Sequence, residues 1–141
     1  MTNLWEVQFS NGFIKHAESK TLLMGGLYES GYLFHLDTRE GAWINNFYGD
    51  PTCAVISQDE EWAAMGGYDT LTIWKPGTTF DVAINYVFAL RQTGPVSMQI
   101  LTDPWREDAA IWELNVATLD IRKVRPFPDY IDQAYTDDVN W

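Results

Sequence analysis

Turn-forming residues interrupt this sequence roughly every 8–12 residues, and that spacing limits the fold more than any other feature. Ser10-Asn11-Gly12, Gly25-Gly26, Ser30-Gly31, Gly49-Asp50-Pro51, Gly66-Gly67 and Gly94-Pro95 each close a short apolar run. Residues 4–9 alternate, with Leu4, Glu6 and Gln8 on one side and Trp5, Val7 and Phe9 on the other, the pattern of a half-buried strand. Further strands are expected at 21–26, within 27–37, and at 42–48, 53–57, 62–65, 71–74, 96–101, 111–116 and 119–124. Residues 80–91 stay open between strand and short helix, because their apolar positions fit neither period. The result is about nine strands and little helix. The fold class expected is mainly β: a single-domain antiparallel sheet, either a sandwich, a curled meander or a partly open barrel. A chain of 141 residues suits one domain spanning 1–141. Its last stretch, about 127–141, is expected to be an irregular acidic tail pinned by Tyr130, Ile131, Tyr135, Val139 and Trp141.

The run CAVISQDEEWAAMGGYDTLTIW is the most patterned stretch: strand, acidic turn, strand, Gly-Gly, strand ending in Trp74. It resembles one blade of a WD-type propeller, and SMQILTD echoes CAVISQD 44 residues downstream, Ser97 against Cys53. Closure of a propeller needs at least four blades. The expectation is therefore local convergence on a three-stranded meander. Neither Gly-Gly pair is a phosphate loop, since no lysine follows and no strand–loop–helix setting surrounds it.

Charge narrows the partners. Twenty Asp and Glu face nine Lys and Arg, a net charge of −11. Such a field repels nucleic-acid phosphates and anionic lipid and attracts basic surfaces. Direct nucleic-acid binding and membrane association are not expected. A plainer account is that acidity keeps a small protein soluble. Cys53 is the only cysteine, so no intramolecular disulfide is possible and no Cys/His metal spacing exists. The N-terminal residues lack a basic segment followed by an apolar run. A cytoplasmic setting without metal or cofactor is expected.

Candidate chemistry is sparse. His35, Asp37 and Glu40 lie close in sequence, and on a strand His35 and Asp37 share a face, which would suit a general base. No nucleophile or metal pattern accompanies them, so a surface histidine is the simpler reading. Cys53 lacks a visible activating base and reads as a buried structural thiol. Exposed tryptophans among the seven present would suit a glycan- or small-molecule-binding β-domain, and core packing is the competing use.

What stands out is carboxylates gathered at turns beside aromatics. Asp59, Glu60 and Glu61 precede Trp62. Asp103, Glu107 and Asp108 flank Trp105, and the tail carries Tyr130, Asp132, Tyr135, Asp137 and Asp138. Carboxylates steer a basic partner and aromatics anchor it. The Ser57–Asp59 turn, Gly66-Gly67 and the Tyr/Asp/Trp tail together resemble the small acidic immunity proteins of bacterial polymorphic and contact-dependent toxin systems. That resemblance implies a non-enzymatic cytoplasmic protein that neutralises a cognate toxin, with nuclease domains the common target. These acidic and aromatic residues are its expected contact set.

Overall fold

The computed structural model describes residues 3–141. Short alternating runs separated by turns fold into twelve strands, arranged as three four-stranded antiparallel meanders in chain order. The first sheet holds β1 (Phe13–Glu18), β2 (Leu22–Leu27), β3 (Ser30–His35) and β4 (Glu40–Asn46). The second holds β5 (Cys53–Ile56), β6 (Ala63–Gly66), β7 (Thr70–Lys75) and β8 (Thr78–Ala83). The third holds β9 (Val87–Gly94), β10 (Ser97–Thr102), β11 (Ala110–Asn115) and β12 (Ile121–Pro126). Residues 80–91 are therefore strand on both sides of a break at Ile84–Tyr86, with no helix. The mainly β, antiparallel class holds, and the architecture is a face-to-face stack of three sheets.

Each sheet has the strand order of a propeller blade, a four-stranded unit repeated around an axis. Their first strands sit side by side, β1 against β5 and β5 against β9. This corrects the expectation of one isolated three-stranded meander: residues 53–74 are three strands of the middle sheet, flanked by two others of the same topology. Among the described residues the three sheets form an open array.

Alternation along each strand supplies both faces. From the first sheet, Leu22, Met24, Leu33 and Ile44 meet Ala63 and Met65 of the second. From its opposite face, Ala64, Leu71 and Ile73 meet Val87, Met98, Ile100 and Leu114 of the third. Full burial of each such aliphatic side chain is worth roughly 1.5–3 kcal/mol. β6 is buried along its whole length, because it has a neighbouring sheet on each side, whereas β12 is exposed throughout.

The two terminal faces are covered by the chain's own ends. Residues 4–9, read as a strand from alternation, form instead a 3-10 turn, η1 (Trp5–Phe9). The Asn3 carboxamide oxygen accepts from the Trp5 N–H at 3.0 Å, which starts the turn. Trp5 then packs edge-on to Phe34, ring centroids 6.2 Å apart, over the outer face of the first sheet. At the other end the tail lies irregular over the third sheet. Phe127 is fully buried with Leu101, Ala109 and Ile111, and Tyr130, Val139 and Trp141 pack around them. Arg91 stacks over the Trp141 ring at 4.0 Å and donates to its carbonyl oxygen. Of the expected pins, Tyr130, Val139 and Trp141 pack here, Tyr135 stacks on Trp105 while remaining largely exposed, and Ile131 is exposed.

Glycine sets the spacing between sheets. A Cβ on Gly26 would lie 2.6 Å from Pro51 just before β5, and one on Gly66 would lie 2.3 Å from Val87 at the start of β9. Both are sites where only a hydrogen lets the next sheet approach.

Candidate functional site

Antiparallel meanders send alternate connections to opposite ends of the stack. At one end the first hairpins of the three sheets are tied together. Glu60, at φ 61, accepts from the Ser19 hydroxyl, the Thr21 N–H at 2.9 Å and the Thr21 hydroxyl at 2.7 Å. Gln92 accepts from the Gln58 N–H at 2.8 Å, and the Trp62 indole N–H donates to the Pro95 carbonyl at 2.8 Å. The acidic hairpin is thus a clamp between sheets. Trp62, 3% exposed, is a core residue and offers no surface to a partner. Asp59 accepts from the Ser57 hydroxyl and the Glu61 N–H, which shapes the turn, and Glu61 remains exposed.

Those bonds to Ser19 and Thr21 hold the Glu60 carboxyl below its ordinary range. A lowered native value stabilises the fold above the unfolded glutamate range, and that stability is lost as pH falls through the native value. Glu60→Gln is therefore expected to flatten the acid limb of the stability–pH curve and to leave the neutral limb's shape unchanged. Denaturant titrations of both proteins between pH 2 and 7 check this; parallel curves would contradict it.

The opposite end gathers the β2–β3, β4–β5, β6–β7, β8–β9 and β10–β11 connections. It carries a tier of tyrosines. Tyr48 meets Tyr68 with centroids 5.3 Å apart, and Tyr68 meets Tyr86 edge-on at 4.7 Å with their hydroxyls 3.1 Å apart. Arg106 lies over the Tyr86 ring at 3.9 Å and bonds Asp108 at 2.9 Å. Tyr48 is 69% exposed and Tyr68 46%. The bond to Tyr86 raises the Tyr68 hydroxyl above the ordinary range. Tyr28, on the β2–β3 turn, is also exposed. Tyr28 and Tyr86 adopt φ 54 and 61. Bulky side chains are rarely held in that left-handed region, and such strain clusters at binding sites. Tyr86 is kept there by its N–H on the Tyr68 carbonyl at 2.6 Å and by the Asp103 N–H on its own carbonyl at 2.8 Å.

Charge at this end is one-sided. Glu29, Asp50, Asp69, Asp103, Glu107 and Asp108 sit in its loops, and Arg106, already paired, is the one base among the described residues of those loops. The clamped end is mixed, with Lys20 and Arg39 among Asp37, Asp59, Glu61 and Asp120.

Beside the tyrosine tier a cleft of about 660 Å³ opens between the third sheet and the tail, lined by Thr52, Phe88, Ala89, Asp103, Trp105, Tyr135 and Asp137. Trp105 stacks on Tyr135 at 4.9 Å and meets Phe88 edge-on at 5.5 Å. Asp103 accepts from the Trp105 N–H at 3.0 Å, and the Tyr135 hydroxyl donates to Asp137 at 2.7 Å. The structure thus brings Asp103, Trp105, Tyr135 and Asp137 together from the β10–β11 loop and the tail. Glu107 and Asp108 lie on the same loop, Tyr130 is half-buried against Phe127, and Asp132 and Asp138 are exposed on the tail. Tyr48, Tyr68 and Tyr86 escape a linear reading because they stand in separate turns. With Tyr28 they put a tyrosine in each of the first four connections at this end, a signal visible only once the strands are placed.

The remaining candidates have packing roles. His35 pairs opposite Glu40 and lies edge-on to Trp74 at 5.8 Å, between the first and second sheets. The Cys53 thiol is enclosed, and burial pushes it up to about 12, which keeps it protonated and unreactive. Among the described residues no group of three His, Cys, Asp or Glu is placed to hold a metal.

No protein-family model matches this sequence, and no curated protein matches it. Among solved structures the fold is similar to that of Kuenenia stuttgartiensis hydrazine synthase, with a TM-score of 0.54 and 13% identity. The match covers 74% of this chain and 34% of that one. At that identity the likeness concerns the fold alone, and this chain spans about a third of the other's length.

Proposed function

We propose that this protein is a non-enzymatic binding module whose tyrosine-rich, acidic loop end receives a basic protein. The observation that carries the reading is the coincidence of exposed Tyr48 and Tyr68 with Glu29, Asp50 and Asp69 on one end, where Arg106, the one base among the described residues of its loops, is already paired. Tyrosine anchors at low entropic cost, and carboxylates speed the encounter and select the sign of the partner. The specific form we advance is the inhibition of a cationic toxin domain, a nuclease above all, whose phosphate-binding surface an acidic loop end would cover. Charge and aromatic exposure support this form. The Ser57–Asp59 turn and Gly66-Gly67, which suggested an immunity protein in the sequence, have architectural roles and add nothing to it.

The test is binding to the basic product of an adjacent reading frame. Replacing Tyr48 and Tyr68 together by serine is expected to weaken affinity at least about tenfold, the scale of losing interface anchors. Association of the wild type should slow steeply as salt rises, since exposed charges are screened beyond about 8 Å at physiological ionic strength. Unchanged affinity in the double variant would refute the site.

A further inference from the structure

Resting on that reading, we infer that the cleft beside the tyrosine tier is a receptor for a guanidinium side chain of the basic partner. Its walls are flat aromatics, Phe88, Trp105 and Tyr135, and carboxylates stand at two of its edges, Asp103 and Asp137. Aromatic faces attract a cation through the ring quadrupole, most strongly when tryptophan takes part, and arginine is the cation that stacks best. A carboxylate has two oxygens and about four acceptor positions. The Trp105 N–H occupies one position on Asp103, and the Tyr135 hydroxyl occupies one on Asp137. Each therefore retains acceptors for an incoming fork of N–H donors.

The molecule already seats an arginine on an aromatic ring three times, Arg125 lying 5.1 Å from the Phe127 ring in one of them. Arg106 lies on Tyr86 at 3.9 Å next to the cleft, and Arg91 lies on Trp141 at 4.0 Å beneath the tail. The cleft presents the ring and carboxylate that Arg106 finds in Tyr86 and Asp108, with no arginine among its lining residues. About 660 Å³ is within the range of sites that take small ligands and leaves room for a complete arginine side chain. Tyr135 is 69% exposed, so the approach is open from solvent.

The probe is arginine amide, titrated into the intact protein while the indole N–H of Trp105 and the backbone amides of Asp103, Trp105 and residues 135–137 are followed by NMR. Citrulline amide, of nearly the same shape and without charge, is the control. Arginine amide should shift these signals saturably, and citrulline amide should leave them within a tenth of that shift. Asp103→Asn combined with Asp137→Asn keeps an acceptor oxygen for both existing bonds and should weaken arginine amide at least fivefold, with the remaining spectrum unchanged as proof of folding. Equal responses to the two amides, shifts that map elsewhere, or an unaltered double variant would overturn the assignment. The Tyr48 and Tyr68 variants leave the cleft walls intact, so the loop-end reading stands or falls on a separate measurement.

Discussion

Phe127→Ala should destabilise the protein by about 3–5 kcal/mol, the usual cost of truncating a buried phenylalanine. Total stabilities of small domains run to about 5–15 kcal/mol, so this is a large share. The melting midpoint should fall by roughly 10 °C. Phe127 is the first residue after β12 and is fully buried. Its N–H donates to the Ala109 carbonyl at 2.8 Å, and its ring stacks on Tyr130 at 5.9 Å and receives Arg125 at 5.1 Å. Removing the ring also loosens the tail, uncovering Leu101 and Ile111 on the outer face of the third sheet. An apolar sheet face without a cover is an aggregation and docking hazard. The variant should therefore bind a hydrophobic dye below its melting midpoint and self-associate in sedimentation. Ile131→Ala, at a position 37% exposed, should leave both readings within about 0.5 kcal/mol of the wild type. A Phe127→Ala protein as stable as the wild type would show that the tail is not the cover described here.

Gly66→Ala is the second large effect. The added methyl would sit 2.3 Å from Val87 Cγ1 and 2.8 Å from its Cβ, where β6 and the start of β9 are closest. Neither strand yields without moving its sheet, and overpacking of this kind costs about 1–3 kcal/mol. Shrinking the opposing side chain tests the cause: Val87→Ala alone should destabilise, and Val87→Ala added to Gly66→Ala should recover part of the loss. A double-mutant cycle in denaturant measures that coupling, and strict additivity would mean the contact is not the source of strain.

The β class and the strand lengths were legible in the sequence because runs of apolar residues between glycines fit strands and nothing longer. The architecture was hidden by register. The echo of CAVISQD in SMQILTD compares β5 with β10, the first strand of one sheet with the second strand of the next. A second echo, Met24-Gly25-Gly26 against Met65-Gly66-Gly67, sets the two sheets one residue out of step. In a strand one residue exchanges the faces. Met24 points toward the second sheet from the first, and Met65 points back. The true correspondence is forty residues: Leu22 with Trp62, Met24 with Ala64, Leu33 with Ile73, and Ile44 with Ile84, each facing the following sheet. Only Ile44 and Ile84 are identical among the four pairs, because each interface is filled by volume and not by residue type.

The acidic turns were legible as clusters, but not by role. Glu60 and Asp59 turn inward onto hydroxyls and N–H groups, and Trp62 fills the core, so that hairpin serves the architecture. Asp103, Trp105, Tyr135 and Asp137, some thirty residues apart, converge because the tail folds back over the third sheet. The tyrosine tier was invisible for the same reason in reverse, its members being brought together only by the stacking of sheets.

The most direct test of a functional loop end compares two charge-reversed proteins of equal net charge. One carries Asp50→Lys and Asp69→Lys at the tyrosine end, and the other carries Asp37→Lys and Asp120→Lys at the clamped end. Association rates with the basic partner are measured for both across ionic strength. The first protein should bind at least ten times more slowly than the wild type at low salt, while the second stays within about threefold, because steering depends on where charge sits. Equal slowing in the two proteins would mean that net charge alone governs the encounter and that the tyrosine end is not the binding surface.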